Sequence, residues 1–212
     1  MMNFSRSLTA AAVSVTLSLG AFAAFAQDAA DVDTSGIVEM QMGNPDAAVT
    51  VIEYASYTCP HCANFHANGF KDLKADFIDD GQINFIYREV FFDRPGLWAS
   101  IVARCGEGAE NRFFGITEML YERQGDLQQN DPAAVVESLK TIGRTAGLSD
   151  ADLDACLQDA DNAQALYARF VQTTEEDGVS STPTFMINGE QVSNRPYPEL
   201  KALIEEELAK AE

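Results

Sequence analysis

The hydrophobic pattern changes sharply around residues 49 to 62, and this change restricts the fold more than any other feature of the chain. Residues 49–55, Val-Thr-Val-Ile-Glu-Tyr-Ala, are mostly apolar or β-branched, which is typical of a buried strand. Cys59-Pro60-His61-Cys62 follows four residues later. Positions that share one helical face then recur: Cys62, His66, Phe70, Leu73 and Phe77. The pattern predicts a strand, a turn with two cysteines, and a helix that begins at Pro60.

Both cysteines fall where such a helix would begin. The first backbone N–H groups of a helix lack partners, and the helix dipole places positive potential at that end. Proline suits the first helical position because its missing N–H costs nothing there. The Cys59 sulfur would therefore be stabilised as a thiolate, with a second positive influence from His61 if its ring is protonated. We expect a redox-active pair with an acidic Cys59 and a disulfide that is easily reduced.

The N-terminal residues 1–26 have the pattern of a secretory signal peptide. Arg6 is the only basic residue there, and an apolar stretch from about Leu8 to Phe22 precedes Ala24-Phe25-Ala26. The stretch is diluted by hydroxyl residues and is shorter than the roughly 20 residues that a spanning helix needs. We predict cleavage after Ala26 and export. An uncleaved N-terminal anchor is the alternative.

The charge balance disfavours two classes of partner. The chain carries 14 Lys and Arg against 33 Asp and Glu, a formal net charge of −19. Such a chain repels phosphate backbones and anionic lipid, so we expect no binding to nucleic acid or to membrane surfaces. The acids are scattered or lie on predicted helices, which favours solvated helix faces over cation binding.

Two further cysteines lie on apolar patterns of helical spacing. Cys105 follows Ile101 and Val102, and Cys156 lies between Leu153 and Leu157. Two inward cysteines in an oxidising compartment favour a structural disulfide. Two separate reduced cysteines in the core are the alternative.

The remaining pattern runs from strand to helix and back. A strand predicted at residues 83–90 completes a right-handed βαβ unit with the cysteine pair at the carboxyl end of its first strand. Thr182-Pro183 stands directly before a predicted hairpin whose turn is Asn188-Gly189. The other predicted elements are a short edge strand at 37–42, four or five helices from about 95 to 177, and a closing helix at 198–211.

This order of elements, with Cys-Pro-His-Cys after the first buried strand and Thr182-Pro183 before the hairpin, resembles the DsbA-like branch of the thioredoxin superfamily. The resemblance covers essentially the whole chain after residue 26. It implies an α/β thioredoxin fold with a large all-helical insertion: residues 27–95 and 178–212 form the thioredoxin-like domain, and 96–177 the insertion. It also implies a periplasmic thiol:disulfide oxidoreductase that needs no organic cofactor or metal.

The same resemblance assigns roles to the cysteines and to Thr182-Pro183. Cys59 is similar to the exposed attacking cysteine of the family, and Cys62 to the partner that re-forms the pair. Pro183 resembles the cis-proline that faces them, which would leave the Thr182 backbone free to pair with an extended substrate. Without the resemblance, a trans-proline opening an edge strand would be an equally good interpretation.

Glu53 stands out because an ionised acid is costly to bury within an apolar strand. Six residues before Cys59, it resembles the buried acid that lies beneath the active-site helix and exchanges protons with the second cysteine, here Cys62. A glutamate at the strand edge that points to water is the alternative.

The direction of the reaction stays open at this stage. Thr182 stands where the best-known oxidases of the family carry valine and where isomerase-type relatives carry threonine, so an isomerase or reductase remains an alternative. Only about twenty residues lie between the predicted cleavage site after Ala26 and the first strong strand, so we expect no separate dimerisation domain. We expect a monomer that oxidises thiols of exported proteins and that a membrane redox partner, quinone-linked by family resemblance, reoxidises.

A metal-binding or copper-delivery protein of the cell envelope is the competing class. Cys59, Cys62 and His66 form the spacing C-x-x-C-x-x-x-H, which is compatible with part of a metal site. A tetrahedral site would have to recruit Cys105 and Cys156 or distant carboxylates. We therefore favour no metal and a His66 that packs beneath the redox pair.

Overall fold

A computed structural model of the protein describes residues 32–211. The predicted signal peptide lies outside the described residues. Within them, five strands form one mixed sheet in the order β1-β3-β2-β4-β5. β2 and β3 are parallel, and the other neighbours are antiparallel. The strands are β1 Met40–Gly43, β2 Val49–Ala55, β3 Ile83–Glu89, β4 Thr184–Ile187 and β5 Glu190–Ser193.

Seven α-helices accompany the sheet within the described range. They are α1 Pro60–Leu73, α2 Arg94–Ala103, α3 Ala109–Glu122, α4 Pro132–Thr145, α5 Asp150–Gln158, α6 Ala160–Glu176 and α7 Tyr197–Lys210. A π-helical turn at Lys74–Ile78 extends α1, and a 3-10 turn at Gln124–Gln128 follows α3. Five of the helices, α2 to α6, lie between β3 and β4. The predicted fold class, a thioredoxin fold with an all-helical insertion, is confirmed.

The alternation of side chains along β2 positions α1 against the sheet. Val51 and Ala55 belong to the main core cluster together with Cys62, whereas Tyr54 packs in a separate cluster. Since successive side chains of a strand point to opposite faces, Glu53 lies on the same face as Val51 and Ala55. The face of β2 that carries this acid is therefore the face covered by α1.

The hairpin that follows Thr182-Pro183 has the predicted turn. Asn188 and Gly189 both take positive φ angles, 47° and 88°. A two-residue turn with positive φ at both positions matches the twist of the flanking strands. The Asn188 side chain also accepts a hydrogen bond from the Thr50 N–H at 2.9 Å, which ties the turn to the start of β2.

Cys105 and Cys156 form a disulfide that closes a loop of 51 residues. The sequence interpretation placed Cys105 on a helix, and this was wrong: α2 ends at Ala103. The cap residue Arg104 leaves the helical conformation, and Gly106 and Gly108 take positive φ angles of 76° and 68° in the turn that leads to α3. The bond therefore joins the segment after α2 to helix α5.

One other predicted boundary also differs from the structure. The first edge strand begins at Met40 rather than at Ile37, and it does lie at the edge of the sheet, beside β3. The helical face predicted from Cys62 to Phe77 does continue past Leu73, as the π-helical turn that ends at Ile78. Across residues 32–211, no helix combines the length and the apolar character that crossing a membrane requires.

Candidate active site

The two cysteines lie at the junction between β2 and α1. Cys59 is the N-cap residue of α1 in an extended conformation, Pro60 occupies the first helical position, and Cys62 lies in the first turn. Both thiols are free. Cys59 is 7% exposed and Cys62 is 0% exposed. The expectation of an exposed Cys59 is therefore corrected: this residue is the more accessible of the two but is largely covered.

The surroundings of Cys59 favour its thiolate. A hydrogen bond from the Cys62 thiol lowers the pKa of Cys59 most, and hydrogen bonding with Thr182 and with the backbone N–H groups of Cys62 and His61 lowers it further. Burial acts in the opposite direction, and the resulting pKa is about 5. The backbone N–H groups at the helix start, which the sequence argument invoked, contribute to this shift, but the neighbouring Cys62 thiol, which it did not consider, contributes most.

Cys62 has the opposite preference. Burial raises the pKa of this thiol far above its ordinary value, and the hydrogen bond to Cys59 and the charge of Glu53 raise it further. Charging a sulfur in an apolar core is costly, so the proton stays on Cys62 while Cys59 ionises. The pair thus consists of one thiolate and one thiol at neutral pH.

Thr182 and Pro183 lie beside the first sulfur. The peptide bond between them is cis. When Cys59 is protonated, its Sγ donates a hydrogen bond to the Thr182 carbonyl oxygen at 3.5 Å. The Thr182 hydroxyl is buried and has no hydrogen-bond partner among the described residues. The hairpin loop and the cysteine turn, more than 120 residues apart in sequence, therefore meet at one point.

Glu53 is fully buried and pairs with His66. The Nε2 atom of His66 lies 3.0 Å from Glu53 Oε2, and the two residues are 7% and 0% exposed. The rings of Phe70 and Tyr121 stack on the imidazole, with centroid distances of 4.6 and 4.2 Å. The alternative of a water-facing Glu53 was wrong. His61, in contrast, is exposed to solvent.

Comparison with known proteins settles the family. The sequence model of the thioredoxin family matches residues 35–206 of this chain. The chain belongs to the thioredoxin family. A Rickettsia bellii protein with the provisional name protein-disulfide oxidoreductase is 32% identical over 170 residues, which cover 80% of this chain and 64% of that protein. The chain thus spans somewhat less than two thirds of the length of this relative.

Two further comparisons concern a second relative and the fold. Disulfide bond formation protein D of Bacillus subtilis is 28% identical over 172 residues, covering 79% of this chain and 76% of that protein. The crystal structure of Wolbachia pipientis alpha-DsbA1 superposes with a TM-score of 0.75 at 23% identity, covering 82% of this chain and 92% of that chain. The thioredoxin-family fold found here is therefore that of its DsbA-like branch.

The described residues contain no cluster of potential metal ligands that would support the metal-site interpretation. Within residues 32–211 of this thioredoxin-family chain, no group of three or more His, Cys, Asp or Glu side chains gathers as metal ligands would. Cys105 and Cys156 are bonded to each other, and the Nε2 atom of His66 is directed at Glu53.

Two residues beside the thioredoxin-family site were missed by the sequence analysis. Gln124 donates hydrogen bonds from its side-chain nitrogen to the carbonyl oxygens of Tyr57 and Cys59, each at 2.9 Å. The Tyr121 hydroxyl lies 2.6 Å from that of Tyr87. Gln124 and Tyr121 belong to the helical insertion, and no local pattern marks a residue that acts 65 positions away.

Proposed function

We propose that this protein is a periplasmic thiol:disulfide oxidoreductase that introduces disulfides into exported proteins through Cys59 and Cys62. The observation that carries the proposal is the contrast between the two sulfurs: a pKa of about 5 at Cys59 beside a buried Cys62 whose pKa is raised. The names of the Rickettsia and Bacillus relatives agree with this chemistry. The signal-peptide pattern of residues 1–26 supports export.

The first step opens the Cys59–Cys62 disulfide of the oxidised enzyme. A substrate thiolate attacks the Cys59 sulfur, and a bond forms between the two sulfurs. The Cys59–Cys62 bond breaks, and Cys62 leaves with its electron pair and takes up a proton, because its raised pKa favours the thiol. The product is a mixed disulfide between substrate and Cys59.

The second step releases the substrate. A second substrate thiolate attacks the substrate sulfur of the mixed disulfide, and Cys59 leaves as a thiolate. A thiol with a pKa of about 5 is a good leaving group, so this step is favoured. The substrate has lost two electrons, which the enzyme now holds as a dithiol. A membrane redox partner, quinone-linked in our proposal, would restore the disulfide.

Thr182 and Pro183 are proposed to hold the substrate during both steps. The Thr182 carbonyl lies next to the Cys59 sulfur, so its backbone is positioned to pair with an extended segment that carries the attacking cysteine. Main-chain pairing of this kind does not depend on the identity of the substrate side chains. Such a site accepts many unfolded chains, which suits a general oxidase.

An isomerase or reductase of the same fold is the second candidate, because Thr182 places a hydroxyl in this loop. A titration of the Cys59 thiolate together with the equilibrium constant against glutathione separates the candidates. We expect a pKa near 5 and a disulfide that glutathione reduces readily. A near-normal thiol and a disulfide that glutathione cannot open would favour the reductase.

Variants complete the test. Cys59→Ser should abolish thiol oxidation, whereas Cys62→Ser should retain a reactive Cys59 that forms stable mixed disulfides with added thiols. A Cys105→Ala/Cys156→Ala double variant serves as the control, since it removes two sulfurs but leaves the redox pair. Full activity of Cys59→Ser would contradict the proposal. Stoichiometric tight metal binding that is lost in His66→Gln would favour the metal-binding class instead.

A further inference from the structure

An apolar groove lies behind the active site, between α1 and α3. It has a volume of about 390 Å³. Ala63, Phe70 and Phe114 contribute to its wall, and His66 lines it from α1. The groove brings solvent close to a pair of buried polar side chains.

The proposed reaction requires protons to reach a place that solvent does not touch. Cys62 takes up a proton whenever the disulfide opens, and it must lose that proton before the disulfide can re-form. Cys62 is 0% exposed, and Glu53, whose charge acts on it, is also 0% exposed. A proton that moves between Cys62 and water therefore has to pass through at least one further group.

We propose that His66 is that group, which transfers protons between Glu53 and the groove. Its Nε2 atom lies 3.0 Å from Glu53 Oε2, and it is the only hydrogen-bond partner of the Glu53 carboxylate among the described residues. The same side chain lines the groove. An imidazole can accept a proton at one nitrogen while it donates from the other, so it can relay a proton without accumulating charge. His66 acts through Glu53 and is not assigned contact with the substrate.

The protons and electrons balance in each direction. When the disulfide opens, His66 takes a proton from water in the groove and passes one to the Glu53 carboxylate. The resulting carboxyl group gives its proton to the Cys62 thiolate, so Glu53 ends as the carboxylate whose charge acts on Cys62. The electron pair of the broken bond stays on the Cys62 sulfur throughout. Reoxidation runs the same transfers in reverse. The second carboxylate oxygen, Oε1, is buried without a hydrogen-bond partner among the described residues, so it is available for exchange with Cys62.

Other titratable groups border this path but do not replace His66. Tyr121 from α3 and Tyr87 from β3 lie against the imidazole, and burial raises the pKa of both phenols well above the ordinary value, so they keep their protons. The charged residues that line the groove are Lys71, Lys74, Glu118 and Glu122. None of them hydrogen-bonds to Glu53 in the part of the chain that the structure describes.

The inference rests on the proposed exchange activity, and the test measures its rate in the full-length protein. In His66→Gln, the amide can keep a hydrogen bond to Glu53 but cannot exchange a proton at neutral pH. We expect two reactions to slow about 10- to 100-fold at pH 7: the opening of the disulfide by dithiothreitol and its re-formation by oxidised glutathione. The larger of these losses equals the lower end of the rate enhancement that general acid–base catalysis typically provides. Added imidazole should restore part of the rate in His66→Ala.

Tyr121→Phe is the matched variant, because it keeps the ring that stacks on His66 and removes only the hydroxyl. We expect its rates to stay within about twofold of those of the wild type, which is much less than the slowing expected for His66→Gln. Slowing of Tyr121→Phe as large as that of His66→Gln would overturn the proposal in favour of an exit through the phenol. Unchanged rates in His66→Gln, with slowed rates in Glu53→Gln, would overturn it while leaving the exchange activity intact.

A measurement on the unmodified protein guards against misfolding of the variants. The chain has two histidines, so NMR spectra of its imidazole rings are assigned with a single His61→Gln variant. The proposal requires the ring N–H of His66 to exchange with water faster than the enzyme turns over. Slower exchange would overturn the path. Failure of the wild type to exchange disulfides at all would instead refute the proposed function.

Discussion

Two cysteines three positions apart have opposite proton affinities because they occupy different environments. Cys59 precedes the helix and receives hydrogen bonds from a thiol and from backbone N–H groups. Cys62 points into the core, where no exposed surface remains to stabilise a charge. At the scale of the residue, the function depends on one helical turn that separates a stabilised thiolate from a stabilised thiol.

The lowered pKa of Cys59 predicts a pH dependence of stability. The folded dithiol form loses its Cys59 proton near pH 5, whereas a thiol in the unfolded chain does so near its ordinary pKa of 9.0. The free energy of unfolding of the dithiol form should therefore rise, relative to that of the disulfide form, from about pH 5 to about pH 9, and the gain should vanish below pH 5. Urea unfolding of both redox forms at pH 4.5 and 8 measures it. A difference that is the same at both pH values would contradict the prediction.

Thr182→Val tests the contribution of the hydroxyl. The Cys59 thiol donates to the Thr182 carbonyl, and once ionised it can accept from the buried hydroxyl, which has no other partner among the described residues. We expect a higher pKa for Cys59 and a glutathione equilibrium shifted about two- to tenfold toward the disulfide, the range of one hydrogen bond. Thr182→Ser, which keeps the hydroxyl, is the control. An unchanged equilibrium in Thr182→Val would argue against this role.

At the scale of elements, the insertion supports the site as well as covering the sheet. The 3-10 turn after α3 holds the cysteine turn through Gln124, and α3 supplies the ring that stacks on His66. The segment after α2 is fixed both by the disulfide to α5 and by Arg104, which binds the Glu89 carboxylate with two hydrogen bonds of 2.6 and 2.7 Å. The insertion is thus joined to the cysteine turn through Gln124, to α1 through His66 and to β3 through Arg104.

The Cys105–Cys156 disulfide should stabilise the fold without taking part in exchange. Because it closes a loop of 51 residues, the chain-entropy model predicts a loss of about 4 kcal/mol from the free energy of unfolding in the Cys105→Ala/Cys156→Ala variant. We expect the glutathione equilibrium of the remaining pair to be retained. Urea unfolding with the Cys59–Cys62 pair held oxidised measures the loss. Unaltered stability would show that the unfolded chain is not restricted by this bond.

The whole molecule carries a strongly negative field. With 33 acidic and 14 basic residues, copies of the chain repel one another, which supports the proposal of a monomer. Sedimentation at physiological salt tests that proposal. The same field should act on substrates before any contact with the active site.

Substrate charge should therefore change the rate of exchange. We expect a cationic cysteine peptide to react more slowly as salt rises from 10 to 500 mM, by about threefold to tenfold, because screening removes the electrostatic attraction. An anionic peptide of the same length should react faster over this range. Stopped-flow measurements on both peptides provide the comparison. Equal salt dependence for the two would show that net charge does not steer the encounter.

Much of the fold was predictable because local patterns specify it. The bounds of β2 and of the start of α1 follow from β-branched residues and from a proline at the first helical position. The end of α2 was missed because the helical spacing of apolar residues continues to Cys105, although the helix ends at Ala103. The burial of Cys59 was missed because its cover comes from residues distant in sequence.

The sequence by itself determined the order of the elements, the position of Cys59-Pro60-His61-Cys62 at a helix start, and the acid within β2, since these depend on neighbours along the chain. Only the tertiary structure decided how the protons are distributed. Proton affinity depends on burial and on groups within a few ångströms, and two of those groups, Thr182 beside Cys59 and Glu53 near Cys62, reach the site from separate elements.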